Sequence, residues 1–286
     1  MPRGTRVSTW LQVKSQTNRA WQGIIRGEKF NIFNTKEPKM KLIDNLYAYL
    51  WPGVTLAEMQ MYGNNCNSYV IANSLARGKH VVIDPGQVVT EVGQRCLDRL
   101  LAEMKTDGIR VDDVGLIICT HAHPDHYEAA AAIKKMSNAQ IAISREEDKF
   151  MSVVRMQMAK QLELAGITVP KIEADFYLQE GELNLGEGTI LRILLTPGHS
   201  PGHISIYWPD VRALFGGDLI FNQSTGRVDL PGGSARLIKE SIEKVSQLEI
   251  EYLLTGHQYG SPGIIQGEAN IRRNFDFVKR NAFPYL

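Results

Sequence analysis

The stretch THAHPDH, residues 120–126, places three histidines and an aspartate within seven positions, directly after the apolar run VGLIIC. Imidazole and carboxylate are the usual ligands of divalent metals of the zinc or iron type, and each needs a rigid support to hold its geometry. On extended chain, residues two apart point the same way, so His121 and His123 can grip one metal together. Pro124 then bends the chain, which frees Asp125 and His126 to hold a second metal from the start of a helix. The chain has seven histidines, and the other four are His80, His199, His203 and His257. His199 in TPGHSPGH and His257 in LLTGHQYG each follow an apolar run and sit beside glycines that free the backbone to turn. Asp218 in LFGGDLIF has the same placement, a poor one for a carboxylate unless something positive meets it. His203, four residues after His199, reads as a supporting or core residue, because better-placed ligands already fill two metal positions.

These residues need elements to position them, and the apolar pattern supplies candidates. NLYAYLWPG, NSYVIA, KHVVIDPG, VGLIICT and AQIAIS read as strands of the first half. Between them, TEVGQRCLDRLLAEMKTDG carries apolar residues at three- and four-residue spacing up to Gly108, and HYEAAAAIKKM is an alanine-rich helix. In the second half a helix in EEDKFMSVVRMQMAKQLELAG precedes strands at TILRILLTP, HISIYWP and RALFGGDLIF. SARLIKESIEKVSQL is an amphipathic helix, EYLLTGH a strand ending in histidine, and EANIRRNFDFVKR a closing helix. Two comparable β-rich halves with helices outside predict an α/β fold of sheet packed on sheet, covered on both faces. Five histidines and two aspartates at strand ends can then converge on one edge of the sandwich.

Residues 1–40 differ in character from the rest of the chain. Up to Lys39 they hold eight Lys or Arg against Glu28 and Glu37, with no sustained helix or strand period, and read as an N-terminal extension to a domain at 41–286. Net charge is +1, so nothing in the overall balance points to nucleic acid. No apolar stretch reaches the ~20 residues of a membrane span, and no signal-like apolar run comes after the first basic residues. The sequence predicts a cytoplasmic protein without a membrane partner. Cys66, Cys96 and Cys119 are too few and too scattered for a disulfide framework and read as reduced thiols.

HAHPDH at 121–126, TPGH at 196–199, GGD at 216–218 and GH at 256–257, in that order, resemble the successive motifs of the metallo-β-lactamase superfamily. The resemblance spans roughly residues 45–260 and implies a four-layer αββα sandwich with two mixed sheets. It also implies that His121, His123 and His199 bind one metal, that Asp125, His126 and His257 bind a second, and that Asp218 bridges them with a water-derived hydroxide. VIDPG at 82–86 resembles the family's first motif, which makes Asp84 the residue that orients a ligand histidine; the alternative is a turn aspartate closing a strand. The implied cofactors are two divalent ions, zinc first, with iron or manganese as alternatives.

Within the superfamily, HQYG at 257–260 is similar to glyoxalase II, and FNQSTGRVDLPGG at 221–233 is similar both to the glyoxalase II-like (hydroxyacylglutathione hydrolase) branch and to the related persulfide dioxygenases. The first branch implies hydrolysis of a small-molecule thioester. A thiolate leaving group, with a conjugate acid near pKa ~8.5, departs without a dedicated proton donor, although Asp125 is placed to shuttle one. The second implies oxygen chemistry at one iron held by His121, His199 and Asp218. A lactonase or other ester hydrolase is a further reading. Only 29 residues follow His257, too few for the helical domain that supplies glutathione contacts in full-length glyoxalase II. Arg227 is either a clamp for a substrate carboxylate or the partner of Asp229, and Tyr259 either touches substrate or packs.

Overall fold

The computed structural model describes residues 40–53, 55–164, 173–259 and 262–286, and these fall within one unit, Lys39–Leu286. The extension expected at residues 1–40 lies, but for its last residue, outside the described residues. Short apolar runs bounded by Gly, Pro and Asp give the strands. The first sheet runs in chain order: β1 (Met40–Ile43), β2 (Leu46–Tyr49), β3 (Ser68–Leu75), β4 (Lys79–Ile83), β5 (Val114–Ile118), β6 (Gln140–Ser144) and β7 (Phe176–Leu178). Pairing is antiparallel from β1 to β4 and parallel from β4 to β7. The second sheet contains β8 (Gly181–Gly186), β9 (Thr189–Leu195), β10 (Ile204–Trp208), β11 (Ala213–Gly217), β14 (Tyr252–Thr255) and β15 (Ile264–Gln266), in the order β15-β14-β11-β10-β9-β8. A small hairpin, β12 (Ile220–Phe221) with β13 (Ser224–Thr225), stands apart. The helices are α1 (Leu56–Tyr62), α2 (Cys96–Thr106), α3 (Pro124–Tyr127), α4 (Ala130–Ser137), α5 (Arg145–Leu164), α6 (Ala235–Val245) and α7 (Glu268–Asn281).

Strand alternation sorts the apolar side chains into three layers. Tyr69, Ile71, Val81, Ile83, Leu116 and Ile118 meet Ile193, Ile204, Ile206, Phe215 and Leu254 between the sheets. Val70, Val82 and Ile117, on the opposite face of the first sheet, pack with Leu97, Leu100 and Met104 of α2 and Ile133 of α4. Tyr207, Leu214 and Leu253, on the outer face of the second, pack with Ile238 and Ile242 of α6 and Ile271 and Phe275 of α7. Both faces of each central strand are buried, which is why those strands read as continuous apolar runs. The result is the four-layer αββα sandwich. Among the described residues, no helix is long and apolar enough to cross a membrane.

Two expected elements are interrupted, and each interruption serves the strand-end loops. The alanine-rich helix breaks between Tyr127 and Ala130, because the bond that would join Ala129 N–H to the Asp125 carbonyl is not made. Ala129 N–H donates instead to the Gly86 carbonyl at 2.8 Å, and the Asp125 carbonyl accepts from Cys66 N–H at 3.2 Å. RALFGGDLIF likewise splits after Gly217, whose φ of 53° turns the chain out of β11 just before Asp218. The helix read from Thr90 starts only at Cys96, since residues 90–94 close a turn in which Gly93 N–H donates to the Thr90 carbonyl.

The TPGH loop illustrates how tightly these turns are packed. Gly198 has φ 142°, and a Cβ there would lie 2.2 Å from the backbone nitrogen of Ile238 in α6. Its carbonyl accepts from the N–H of Ser234, the residue that caps α6. Gly198→Ala is therefore expected to lower stability by about 1–3 kcal/mol through overpacking. A thermal melt would read the loss directly, and an unchanged Tm would show that loop and helix separate freely.

Candidate metal centre

The functional side chains all leave the carboxyl ends of strands. Asp84 follows β4, the run 120–126 follows β5, His199 lies in the loop after β9, Asp218 follows β11 and His257 lies just beyond β14. Strands β9, β11 and β14 run parallel to one another, as do β4 and β5, so each sheet delivers its ligands to one edge. Such edges are where open sheets of this kind bind ligands.

The candidate ligands form overlapping trios. His121, His123 and His199 make one, Asp125, His126 and His257 a second, and His121, His126 and Asp218 a third, with the ligand atoms of each within 4.8 Å of one another. In the first, His123 Nδ1 stands 3.0 Å from His121 Nε2 and 2.9 Å from His199 Nε2. In the second, His257 Nε2 lies 3.2 Å from His126 Nε2 and 3.3 Å from Asp125 Oδ2. Asp218 reaches both: its Oδ2 is 3.5 Å from His199 Nε2 and 3.5 Å from His257 Nε2, and its Oδ1 is 3.2 Å from His126 Nε2. His121, His126, His199, His257 and Asp218 are all buried.

Hydrogen bonds behind the ligands decide which ring nitrogen faces inward. Asp84 Oδ1 accepts from Thr120 N–H at 2.7 Å, and its Oδ2 accepts from Thr120 Oγ1–H at 2.7 Å and lies 2.9 Å from His126 Nδ1. With its own proton given to Asp84, Thr120 Oγ1 accepts from His121 Nδ1 at 3.0 Å. His199 Nδ1 donates to the Arg227 carbonyl at 2.8 Å. Nε2 of His121, His126 and His199 is thus left facing the centre. His203 does a different job: its Nε2 accepts from Asp218 N–H at 3.1 Å, and its Nδ1 bonds to Thr196 Oγ1 at 2.9 Å. Both nitrogens are engaged, so His203 fixes the backbone of Asp218 and is no ligand.

Electrostatics separates the trios. Burial, reinforced by neighbouring histidines, pushes His121 well below the ordinary histidine range. Burial and His199 likewise bring His123 down to about 4. Burial also lowers His203, to about 3. For His126, burial acts downward but Asp218 and Asp84 outweigh it and raise the ring well above its usual value. Asp218 and Asp125 similarly lift His257 to about 9. Asp218 itself is held well below the carboxylate range, because His257 and His126 outweigh its burial.

A divalent metal fits this arrangement on two grounds. Asp218 Oδ1 is buried without a hydrogen-bond partner, although His126 Nε2 stands 3.2 Å away. Nε2 of His126 faces this oxygen and Nε2 of His199 and His257 face Oδ2, with the Nδ1 atoms of His126 and His199 turned outward to Asp84 and the Arg227 carbonyl, an arrangement that suits a shared positive charge. Gly256 keeps the space open, since a Cβ there would lie 2.2 Å from Asp218 Oδ1.

The remaining residues fall around this centre. Tyr259 stacks on His257 at 4.7 Å and 12°, and its hydroxyl donates to Asn64 Oδ1 at 3.2 Å. Asn64, which belongs to none of the sequence motifs, donates in turn to Asp125 Oδ2 at 2.6 Å. The guanidinium of Arg227 forms a two-pronged pair with Asp229 at 2.8 and 2.9 Å and is largely exposed. What Arg227 brings to the ligands is its carbonyl. A cavity of about 210 Å³ adjoins the second trio and is lined by Trp51, Met59, Asn64, Glu91, His257 and Tyr259. A larger one of about 790 Å³, along Asn270, Arg273 and Phe277 of α7, contains none of the ligands.

Asp84 supports a ligand in both trios. Asp84→Ala is expected to weaken metal binding by roughly 10–100-fold, the range typical when a ligand's hydrogen-bond partner is lost. Competition against a chromophoric chelator measures it, and wild-type affinity would show that Thr120 and the ring packing suffice.

Comparison with known proteins places this geometry. The chain is 31% identical over 228 residues to the probable metallo-hydrolase MJ0888 of Methanocaldococcus jannaschii, spanning 78% of this chain and 98% of that protein. It is 32% identical over 165 residues to the hydroxyacylglutathione hydrolase GloC of Haemophilus influenzae, spanning 56% of this chain and 70% of that one. Among solved structures it is similar to TTHA1623 in a di-iron-bound form, with 26% identity and a TM-score of 0.57 over 83% of this chain and 100% of that chain. Residues 61–257, which contain every ligand of the three trios, match the metallo-beta-lactamase superfamily, and the chain belongs to it.

Proposed function

We propose that the protein is a dinuclear metal-dependent hydrolase of a small-molecule thioester, of the hydroxyacylglutathione hydrolase type. The observation that carries the reading is Asp218, which touches ligands of both nitrogen-rich trios and keeps one buried oxygen free of hydrogen bonds. Two divalent ions, zinc before iron or manganese, would supply a water acidified toward neutrality and polarisation of the scissile carbonyl. The chain's own residues do the rest. His121, His123 and His199 would hold one ion, Asp125, His126 and His257 the other, and Asp218 would serve both. Asp84, Thr120 and the Arg227 carbonyl keep ring protons on the outward nitrogens.

The nature of the leaving group is argued from the residues that line the cavity beside His257. The Tyr259 hydroxyl is engaged with Asn64, burial first and Asp218 next push its pKa up, and the Glu91 carboxylate accepts from Asn64 N–H at 3.0 Å. The Tyr259 hydroxyl is thus a poor proton donor. A thiolate departs without one, whereas an amine would not. Trp51 and Met59 offer an apolar wall to the substrate and Tyr259 an aromatic edge. The exposed Arg227 exchanges its pair with Asp229 for a substrate carboxylate in this reading.

A second reading rests on one face of the same centre. His121, His199 and Asp218 present two imidazoles and a carboxylate, the set that binds a single non-haem iron for oxygen chemistry. Such a site would oxidise a persulfide.

Elemental analysis of saturated protein should find two metals per chain, and Asp218→Ala should lower occupancy at both positions. A single metal in the saturated wild type would sink the dinuclear reading. The metal-loaded enzyme should cleave S-lactoylglutathione or a simpler thioester, releasing thiol without oxygen uptake, and Asp218→Ala should lose at least about a hundredfold in kcat/KM, beyond what supporting residues usually cost. Oxygen consumption with glutathione persulfide, together with no thioesterase activity under any of zinc, iron or manganese, would instead establish the mono-iron reading.

A further inference from the structure

Glu147 is a fully buried carboxylate that neither the ligand set nor the cavity uses. It sits in the first turn of α5, in the run Arg145-Glu146-Glu147-Asp148, where acids are expected simply to favour the helix N-terminus. Its neighbours behave that way: Glu146 is exposed, and Asp148 accepts from the hydroxyl of Tyr177 at 2.7 Å. Glu147 turns inward instead. Its Oε1 accepts from the N–H of Ala122 at 3.1 Å, the residue between His121 and His123. Its Oε2 accepts from Ser200 Oγ–H at 2.8 Å and from Gly202 N–H at 2.9 Å, just beyond His199.

One carboxylate therefore joins two loops that come from different sheets. The stems of these loops are already tied, since Ile204 N–H donates to the Thr120 carbonyl at 2.9 Å. Glu147 ties the tips, where the ligands are. The backbone at Gly202 is held from both sides: its N–H by Glu147 and its carbonyl by the hydroxyl of Ser144, which also accepts from Glu147 N–H at 3.2 Å. A Cβ at Gly202 would lie 2.1 Å from the Glu147 nitrogen, so helix and loop meet backbone to backbone.

The second trio is fixed by other means. Cys66 N–H donates to the Asp125 carbonyl at 3.2 Å, Asn67 N–H to the Gly256 carbonyl at 2.7 Å, and Asn64 Nδ2 to Asp125 Oδ2 at 2.6 Å. None of these involves Glu147.

We propose that Glu147 is a positioning residue that locks the loop of His121 and His123 onto the loop of His199, setting the geometry of that trio through contacts that it does not share with the trio of Asp125, His126 and His257. The proposal rests on the reading that the two trios hold separate metals. The residue type matters because all three partners are donors: a carboxylate offers two accepting oxygens, whereas a glutamine offers one and turns an NH2 group toward donors already present.

The test uses the full chain as wild type, Glu147→Gln and Ser200→Ala, each loaded with zinc, dialysed against graded chelator and assayed for metal per chain. Circular dichroism and thermal melts accompany every sample, and cobalt substitution reports on the ligand environment of the ion that remains. Glu147→Gln should remain folded and retain one ion where the wild type retains two, with about tenfold or greater weakening confined to one site. Ser200→Ala, which removes one of the three donors, should weaken the same site by less. A folded Glu147→Gln that keeps both ions at wild-type affinity, or weakens both equally, overturns the proposal. Should Glu147→Gln not fold, Ser200→Ala decides, with wild-type affinity at both sites counting against. A wild type that binds two ions but cleaves no thioester defeats the functional reading and leaves this comparison intact. A wild type that holds one ion defeats the dinuclear reading, and an unchanged affinity for that ion in Glu147→Gln would then overturn the positioning role.

Discussion

The carboxylate of Asp84 is the contact on which the candidate metal centre depends. It is buried at the end of β4, in a left-handed conformation with φ 50° that an aspartate tolerates better than most residues. The surrounding structure holds it there through its own N–H to the Ile118 carbonyl at 2.9 Å and through Ser68 Oγ–H to its carbonyl at 2.6 Å. From this position one side chain orients His126 directly and His121 through Thr120. A ligand from each trio thus takes its tautomer from the same anion. The chain needs the αββα core to bring β4 beside β5, and the ligand loop beyond β5 then needs this turn to aim its histidines.

A second constraint comes from the origin of the ligands in two sheets. The Thr120 carbonyl receives Ile204 N–H, the Gly217 carbonyl receives Gly256 N–H, and Asn67 N–H reaches the Gly256 carbonyl. Glycines stand where such contacts leave no room for a side chain. At Gly217 a Cβ would lie 2.7 Å from Thr120 Oγ1 and 2.8 Å from His203 Nε2. Side-chain ligands can be exchanged one at a time, but these backbone contacts are shared, so the loops behave as a connected frame.

Much of the fold is legible in the sequence because apolar alternation and strand-ending glycines are local signals. The central strands, the helices of the outer layers and the convergence of histidines on one edge can be read from them. What the chain hides is tertiary. The break before Ala130 is invisible in an alanine-rich run, because its cause is two bonds to distant carbonyl and amide groups. Helix α1 is absent from the elements expected on apolar pattern, although TLAE at 55–58 forms a capping box, Thr55 and Glu58 each bonding the other's backbone N–H, a signal open to a reading of residue types. Arg227 draws attention for its guanidinium, yet its carbonyl is what meets His199, and a backbone role leaves no mark on residue type. Glu147 is one of three consecutive acids, and only the packing of α5 distinguishes the buried one.

Charge balance connects these observations. Asp84, Asp125, Asp218 and Glu147 bring four carboxylates into or against a buried centre whose histidines lie close enough to repel one another when protonated. Uncompensated charge at such a site is costly, and carboxylates lacking a cation normally take up protons or draw them onto neighbouring rings. The second trio shows that response, with His126 and His257 raised toward the protonated form by the aspartates beside them. The first trio has no carboxylate of its own, and its rings are driven toward the neutral form in which an imidazole can ligate. Divalent cations would suit the two trios in different ways, since one has nitrogens already free and the other would exchange protons for metal. Binding energy at such a centre is inseparable from the stability of the loops that form it, because the ligands must be deprotonated and held before an ion can join them.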